Sequence, residues 1–238
     1  MSRTKNVVVT GATSGIGAAI ARAFAADGAS VFLVGRNAQR LAAAARRIPP
    51  RRLAGTALAD FASAEDMGAL VASVAARLSR LDVLVHSAGE YSWTEVGDPD
   101  SRGFDRLFDV NVRAPYLITQ GLVPLLARAR GLVVVVNSSV VRSPGQGVAA
   151  FKATQHAMVG LMDSLRQDFN RRGVRLASIF PGRTATPRMR RIYAKEGKAY
   201  TAQGLMRPEE VAHLVLALAA LPSRMEVTDV HLRSITPC

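Results

Sequence analysis

The sequence predicts a doubly wound α/β fold, a mostly parallel seven-stranded sheet with helices on both faces. Three observations point there. Short β-branched runs recur along the 238 residues and alternate with Ala-rich amphipathic stretches. The runs are apolar throughout, the mark of strands buried on both faces of a parallel sheet with helices packed above and below. The first run also passes through a glycine-rich turn into the first amphipathic stretch, as a strand-turn-helix unit does.

Taken in order, Val7 to Thr10, Val31 to Val34, Leu81 to Val85, Leu132 to Val136 and Arg175 to Phe180 read as strands. A weaker strand is expected at Arg52 to Leu58 and a last one at Val227 to Leu232. The helices fall at Gly15 to Ala26, Ala38 to Ile48, Ala64 to Leu78, Val112 to Ala129 and Val148 to Arg171. One long irregular region, Pro181 to Met206, interrupts the pattern and carries five basic residues between Arg188 and Lys198. It follows a strand on the side where such folds bind ligands, so a substrate lid is expected around 183–206, with a short helix in it. With no repeats, low-complexity tracts or linkers, residues 1–238 read as a single domain of a size that buries one substantial core.

Composition narrows the function classes. No apolar stretch reaches about 18 residues, and the polar start, Met1 to Asn6, runs straight into a strand. Neither a membrane span nor a secretory signal is supported, and a cytoplasmic protein is expected. The lone Cys238 cannot form an internal disulfide. The net charge of +13 comes almost entirely from Arg scattered over the helices, and only 5% of residues are aromatic. That distribution offers neither a stacking platform nor a basic reading helix, so nucleic acid is not an expected partner and the Arg residues read as a solvated surface. No metal site is expected.

The segment Val7-Val8-Val9-Thr10-Gly11-Ala12-Thr13-Ser14-Gly15-Ile16-Gly17 places glycines at the turn between strand and helix. Glycine lets backbone approach a pyrophosphate closely, while the helix N-terminus supplies N–H groups and a positive dipole. Glycine also closes ordinary turns; the strand before and the helix after favour a dinucleotide site. At the end of the second strand, Gly35-Arg36 stands where an acid would accept from a ribose 2′-hydroxyl. No acid is present; Gly35 is expected to leave room, and Arg36 can pair a 2′-phosphate, which favours NADP over NAD. The plainer reading of Arg36 is a solvated residue opening a helix.

This Thr-Gly-x-x-x-Gly-x-Gly form resembles the short-chain dehydrogenase/reductases, a family with the Rossmann fold, and further positions match along nearly the whole chain. Asp60, followed by Phe61, resembles the residue that contacts adenine. His86-Ser87-Ala88-Gly89 stands where the family usually has Asn-Asn-Ala-Gly. Asn111 resembles the family's helix asparagine, and Pro181-Gly182-Arg183-Thr184-Ala185-Thr186 its Pro-Gly-x-x-x-Thr at the nicotinamide carboxamide. Read singly, Asp60 could be a helix cap, Asn111 a core polar residue and Pro181-Gly182 a turn. The resemblance assigns cofactor contacts to Gly11, Thr13, Ser14, Gly15, Ile16, Gly17, Arg36, Asp60, Phe61, Ser87, Ala88, Gly89, Gln155, Pro181, Gly182, Thr184 and Thr186.

In the family a Ser polarises the substrate carbonyl and Tyr-x-x-x-Lys supplies the proton, the ammonium lowering the phenol pKa. Ser139, twelve residues before the helix position, matches better than Ser138, though it could merely cap a strand end. The helix reads Phe151-Lys152-Ala153-Thr154-Gln155, with Phe in the Tyr position and Gln in the Lys position. Phe151 has no proton to give; Gln155 can hydrogen-bond a ribose hydroxyl but carries no charge. Lys152 lies about 100° round the helix, and His156 is one position off the catalytic face. Tyr91 and Tyr193 are the replacement donors the sequence offers. Asn111, Ser139, Phe151 and Gln155 therefore form the expected reaction site of an NADP(H)-binding oxidoreductase with an altered proton route, acting on a carbonyl or activated double bond of a small molecule. A non-redox enzyme of the same fold and a catalytically inactive NADP-binding partner are the alternatives. The resemblance further implies a homodimer or homotetramer through the helices Val112 to Ala129 and Val148 to Arg171, where Ala149, Ala150 and Ala157 permit close packing. The basic lid suggests an anionic or carrier-bound substrate.

Overall fold

The computed structural model describes residues 3–94, 97, 100–143 and 146–235; Cys238 and the first two residues of the polar start lie outside them. Strands β1 (Asn6–Thr10), β2 (Ser30–Gly35), β3 (Leu53–Leu58), β4 (Val83–His86), β5 (Leu132–Val136), β6 (Arg175–Pro181) and β7 (Asp229–Leu232) form one sheet in the order β3-β2-β1-β4-β5-β6-β7. Every pairing is parallel, with Val7 opposite both Val31 and Val83. The helices are α1 (Gly15–Ala26), α2 (Ala38–Ala45), α3 (Ala64–Arg77), α4 (Ser101–Phe108), α5 (Ala114–Ala129), α6 (Ala149–Arg171), α7 (Pro187–Lys195) and α8 (Pro208–Ala220).

The pleat explains why the strands carry no polar alternation. Val8, Phe32, Leu84 and Val133 face a core closed by α3, α5 and α6, whereas Val7, Val9, Leu33 and Val134 face a second core closed by α1, α2 and α8. Each fully buried side chain among these stabilises the fold by about 1.5–3 kcal/mol. The chain winds outward from β1 through β2 to β3, then returns to place β4 beside β1 on the other side. At that reversal the loops leaving β1 and β4 diverge to opposite faces and open a crevice at the strands' carboxyl ends.

Element boundaries differ from the sequence reading where local chemistry intervenes. Helix α2 stops at Ala45, short of Ile48, because Ile48 precedes Pro49, and the residue before a proline is driven out of the helical region. A 3₁₀ turn at Pro50–Arg52 delays β3 to Leu53. β4 begins at Val83 rather than Leu81, and β7 at Asp229 rather than Val227. Helix α5 begins at Ala114 because a π-helical turn, Asp109–Arg113, joins it to α4. Two helices go beyond the sequence reading. Helix α4 is short and is fixed by Asp100, whose side chain accepts from the Gly103 amide at 2.8 Å. Helix α8 starts at Pro208, with Glu210 accepting from the Arg207 amide at 2.8 Å. The segment expected to form a lid is fastened at its base by a parallel bridge between Thr184 and Met206. Its short helix is α7, whose N-cap Thr186 accepts from the Met189 amide at 3.1 Å.

Candidate functional site

The crevice is a cleft of about 1450 Å³ running along the carboxyl edge of the sheet and lined on one side by α7 and its flanks, ample for a dinucleotide with a small molecule beside it. Every residue assigned from the sequence to the reaction site or to a cofactor contact lines it except Gly17, which serves the turn instead. A Cβ on Gly17 would stand 2.4 Å from the Gly11 carbonyl oxygen, and one on Gly11, at φ +68°, 2.7 Å from the Ala88 amide nitrogen. The turn after β1 is thus packed backbone to backbone on the loop after β4, and Thr10 Oγ1 accepts from the Ser87 and Ala88 amides, both at 3.2 Å. Gly15, at φ +54°, opens the N-terminus of α1 toward the lid: a Cβ there would lie 3.2 Å from Thr186 Cγ2. Glycine backbone on one wall, two helix N-termini and a positively charged rim fit the diphosphate of a dinucleotide.

Gly35 plays a different part from the one expected. A Cβ there would meet Thr13 Cγ2 at 2.4 Å, so the missing side chain admits the packing of Thr13 and leaves no open room for a ligand. Arg36 beside it has an exposed side chain that reaches across the cleft to Glu90. Glu90 also accepts from Arg106 Nε and Nη2, both at 3.0 Å, and Arg106 in turn meets Asp60 at 3.4 Å. The hydrogen bond from the Ala62 amide, followed by attraction to Arg106 and Arg36, outweighs partial burial and holds the Asp60 carboxyl below its ordinary value. Asp60 thus closes a turn on the Ala62 amide, while Ser63 caps α3, and it is one end of a charge chain across this end of the cleft. Neither Glu90 nor Arg106 was singled out from the sequence; Glu90 directly follows the Ala88-Gly89 match, which is the signal that could have found it.

At the other end of the cleft, β5 continues into Asn137-Ser138-Ser139. Asn137 donates to the Gln155 carbonyl at 3.0 Å and ties this loop to α6. Ser138 is engaged, its hydroxyl accepting from the Val140 amide at 3.3 Å. Both serines line the cleft, and they differ in that the Ser139 hydroxyl makes no hydrogen bond among the described residues. Asn111 sits in the π-helical turn with its amide committed: it donates to the Glu90 carbonyl at 3.0 Å and to Thr154 Oγ1 at 3.1 Å, and accepts from the Glu90 amide at 2.8 Å. It positions Glu90 and α6 at once.

Phe151 and Gln155 are buried and lie together at the cleft wall, one turn apart on α6. The Gln155 side chain donates to Thr154 Oγ1 at 3.2 Å. Lys152 points away and donates to the Ser143 carbonyl at 2.9 Å, and His156 is exposed on the outer face of α6. Of the two tyrosines that the sequence offered as donors, only Tyr91 lines the cleft, its ring edge-on to Phe151 with centroids 5.1 Å apart. Burial, reinforced by Glu196, raises its pKa above the ordinary phenol value. Tyr193 is instead buried on α7, beneath the Arg183 guanidinium at 4.9 Å and edge-on to Tyr200. The charges of this segment are partly internal. Burial alone would raise the Glu196 pKa, but bonds from Arg183 at 2.7 Å and Lys198 at 3.0 Å hold it below its ordinary value. Arg188, Arg191 and Lys195 face the cleft with no carboxylate within 4.0 Å among the described residues.

The sequence model for short chain dehydrogenases matches residues 5–197. An uncharacterized oxidoreductase of Staphylococcus epidermidis is 30% identical over 235 residues, 98% of each chain. The L-fucose dehydrogenase of Bos taurus is 34% identical over 232 residues, covering 91% of this chain and 83% of that one. Among solved structures, the alcohol dehydrogenase of the archaeon Thermococcus sibiricus, complexed with 5-hydroxy-NADP, superposes with a TM-score of 0.87 at 26% identity over 99% of both chains. A metagenomic short-chain oxidoreductase in complex with NADP superposes with a TM-score of 0.80 at 27% identity, covering 95% of this chain and 96% of that one.

Proposed function

The chain belongs to the short-chain dehydrogenase/reductase family, and from that premise we propose that it is an NADP(H)-dependent oxidoreductase with a rebuilt proton route. It acts on a carbonyl or activated double bond of a small molecule, as one domain with residues 183–206 as its lid. The observation that carries this reading is a dinucleotide cradle kept intact beside a reaction wall stripped of its ionisable pair. Gly11 and Gly15 line the cleft at a turn that Gly17 packs, and Phe151 and Gln155 stand where the family has the phenol and the ammonium. The bound nicotinamide supplies the hydride. Ser139, its hydroxyl uncommitted, donates a hydrogen bond to the substrate oxygen. Gln155 hydrogen-bonds the nicotinamide ribose as a neutral group, and Phe151 with Tyr91 forms an apolar wall that orients the substrate without donating from the Phe151 position. The proton comes from water, which suits substrates whose reduced form tolerates a delayed protonation. A homodimer or homotetramer built on the outer faces of α5 and α6 completes the proposal.

The test has two parts. The protein is expected to bind NADPH, followed by fluorescence, and to reduce simple ketones poorly. Phe151→Tyr with Gln155→Lys is expected to raise ketone reduction by about 10²–10⁴-fold, the ordinary contribution of general acid catalysis. Phe151→Tyr alone gains less, because without the ammonium its pKa stays near about 10. Failure to bind NADPH would overturn the cofactor assignment. A folded, NADPH-bound double variant that reduces no member of a broad ketone, quinone and enone panel would favour a catalytically silent NADP-binding partner.

A further inference from the structure

Resting on the cofactor reading above, we propose that Arg188 is a diphosphate-binding residue, a clamp that holds the dinucleotide from the lid side against the glycine-rich turn. The first support is position. Arg188 is the second residue of α7, and the cap of that helix, Thr186, lies against Gly15 at the start of α1. From there the Arg188 guanidinium crosses the cleft to the Gly89 carbonyl on the floor, and a Cβ on Gly89 would lie 4.0 Å from its Nη2. The side chain therefore spans the cleft between the adenosine end, marked by Arg36, and the reaction end, marked by Ser139 and Phe151. The diphosphate is the middle of a dinucleotide and its most concentrated charge, so it falls at this crossing.

The second support is charge. A guanidinium has five N–H donors, and the described residues offer Arg188 one neutral carbonyl. The nearby charges act mostly against it: Arg191 and Arg36 repel, while the attractive Glu90 is already bonded to Arg36 and Arg106. Burial, followed by repulsion from Arg191, lowers its pKa. A half-buried cation without a carboxylate is stabilised by an incoming anion, and the planar fork of Arg matches two phosphate oxygens at once. Two helix N-termini converging on the same point add to the same preference.

Position separates Arg188 from Arg36. A diphosphate clamp acts on every dinucleotide, whereas a 2′-phosphate ligand acts on NADP(H) alone. Calorimetric titration with ADP, adenosine 2′-monophosphate, NADH and NADPH reads the difference, and fluorescence of Trp93, the single tryptophan and a cleft residue, gives an independent readout. Arg188→Met is expected to weaken ADP, NADH and NADPH alike by about 10- to 100-fold and to leave adenosine 2′-monophosphate within about two-fold. Arg36→Met is expected to weaken adenosine 2′-monophosphate and NADPH by about 10- to 100-fold and to leave ADP and NADH within about two-fold, and Arg188→Lys to lose less than Arg188→Met, which keeps the test open should the Met variant fold poorly. Undiminished ADP affinity in both Arg188 variants, or a loss confined to NADPH, would overturn the assignment. An unmodified protein that binds neither ADP nor NADPH would overturn the proposed function along with it, whereas tight binding indifferent to Arg188 sinks this inference alone.

Discussion

His86 stands at the carboxyl end of β4, where the family usually has Asn, and replacing it tests how that substitution is accommodated. It is 3% exposed. Its Nε2 meets Thr119 Oγ1 at 2.8 Å, and its Nδ1 has no hydrogen-bond partner among the described residues. Burial without a compensating charge pushes its pKa down to about 3. The folded protein therefore holds the ring neutral, while the unfolded chain titrates near about 6.5. Between those values the unfolded state binds a proton that the folded state refuses, so stability rises with pH across the window. The contribution is complete above about pH 6.5 and is lost as the pH falls toward about 3, at about 1.4 kcal/mol per unit. At pH 5 the loss relative to pH 7.5 amounts to about 2 kcal/mol from this one group. Urea unfolding of the unmodified protein and of His86→Asn, each at pH 7.5 and pH 5.0, isolates it, because every other titrating group is common to both. The acid-induced loss is expected to be smaller in His86→Asn by about 2 kcal/mol, whatever that variant's stability at pH 7.5. Equal losses in the two proteins would show that the ring is solvated or protonated in the fold, and would refute the reasoning.

Two further substitutions address the adenosine end and one the assembly. Arg36→Asp is expected to invert cofactor preference, weakening NADPH by about 10- to 100-fold; equal dissociation constants for NADH and NADPH in the unmodified protein would remove the basis for this. Because Glu90 occupies the Arg36 guanidinium, Glu90→Gln is expected to tighten NADPH by about two- to five-fold, the worth of an exposed ion pair, with the gain shrinking as salt is raised. On α6, Ala153, His156 and Gly160 form an exposed strip of mostly small side chains, and a Cβ on Gly160 would meet nothing within 4 Å. Light scattering at micromolar concentration is expected to give a dimer or tetramer and Gly160→Arg a smaller species; a monomeric unmodified protein would refute the interface.

Most of the architecture was legible because it rests on signals the sequence carries directly. Apolar runs such as Val7-Val8-Val9 face a core on each side of the sheet, so burial leaves no polar alternation to confuse. Helix α4 was not legible, since it is only eight residues long, carries Gly103 in its first turn and depends for its start on one Asp100 cap. The π-helical turn before α5 was equally hidden, because no pattern of hydrophobicity marks it; it carries Asn111, whose side chain is committed to Glu90 and Thr154. At the candidate site, residue types were legible and partnerships were not. Arg36 reads as an available cation until Glu90 is seen to reach it across the cleft, and Gly35 reads as open space until Thr13 is found filling it. Arg188 could be counted among the lid's basic residues, but only the turn of α7 aims it at Gly89 while its neighbour Arg190 stacks over Tyr200.

The loss of Phe151's counterpart phenol and Gln155's counterpart ammonium bears unequally on the two halves of a reduction. General acid catalysis contributes about 10²–10⁴-fold, or about 3–5.5 kcal/mol of barrier, whereas holding reactants in an attack geometry contributes about 7–11 kcal/mol. On the proposed function, the walls that set that geometry are the packed glycine turn, the unbonded Ser139 hydroxyl and the segment fastened between Thr184 and Met206. A simple ketone suffers most from the loss, because its alkoxide is strongly basic and must be protonated as it forms. A conjugated acceptor suffers less, because hydride addition yields a delocalised enolate that Ser139 can stabilise by hydrogen bonding until water protonates it. The apolar contact of Tyr91 with Phe151 points the same way, since it seats a flat unsaturated system better than a polyhydroxylated one. The unmodified protein is therefore expected to reduce enones or quinones at least about 10-fold faster than saturated ketones of matched size, with kcat/KM as the measure. Phe151→Tyr with Gln155→Lys is expected to narrow that ratio by raising the ketone rate. A ratio near unity in the unmodified protein, or one that the double variant leaves unchanged, would show that the proton is delivered by a residue of the chain after all, and Tyr91→Phe would then be the variant to make.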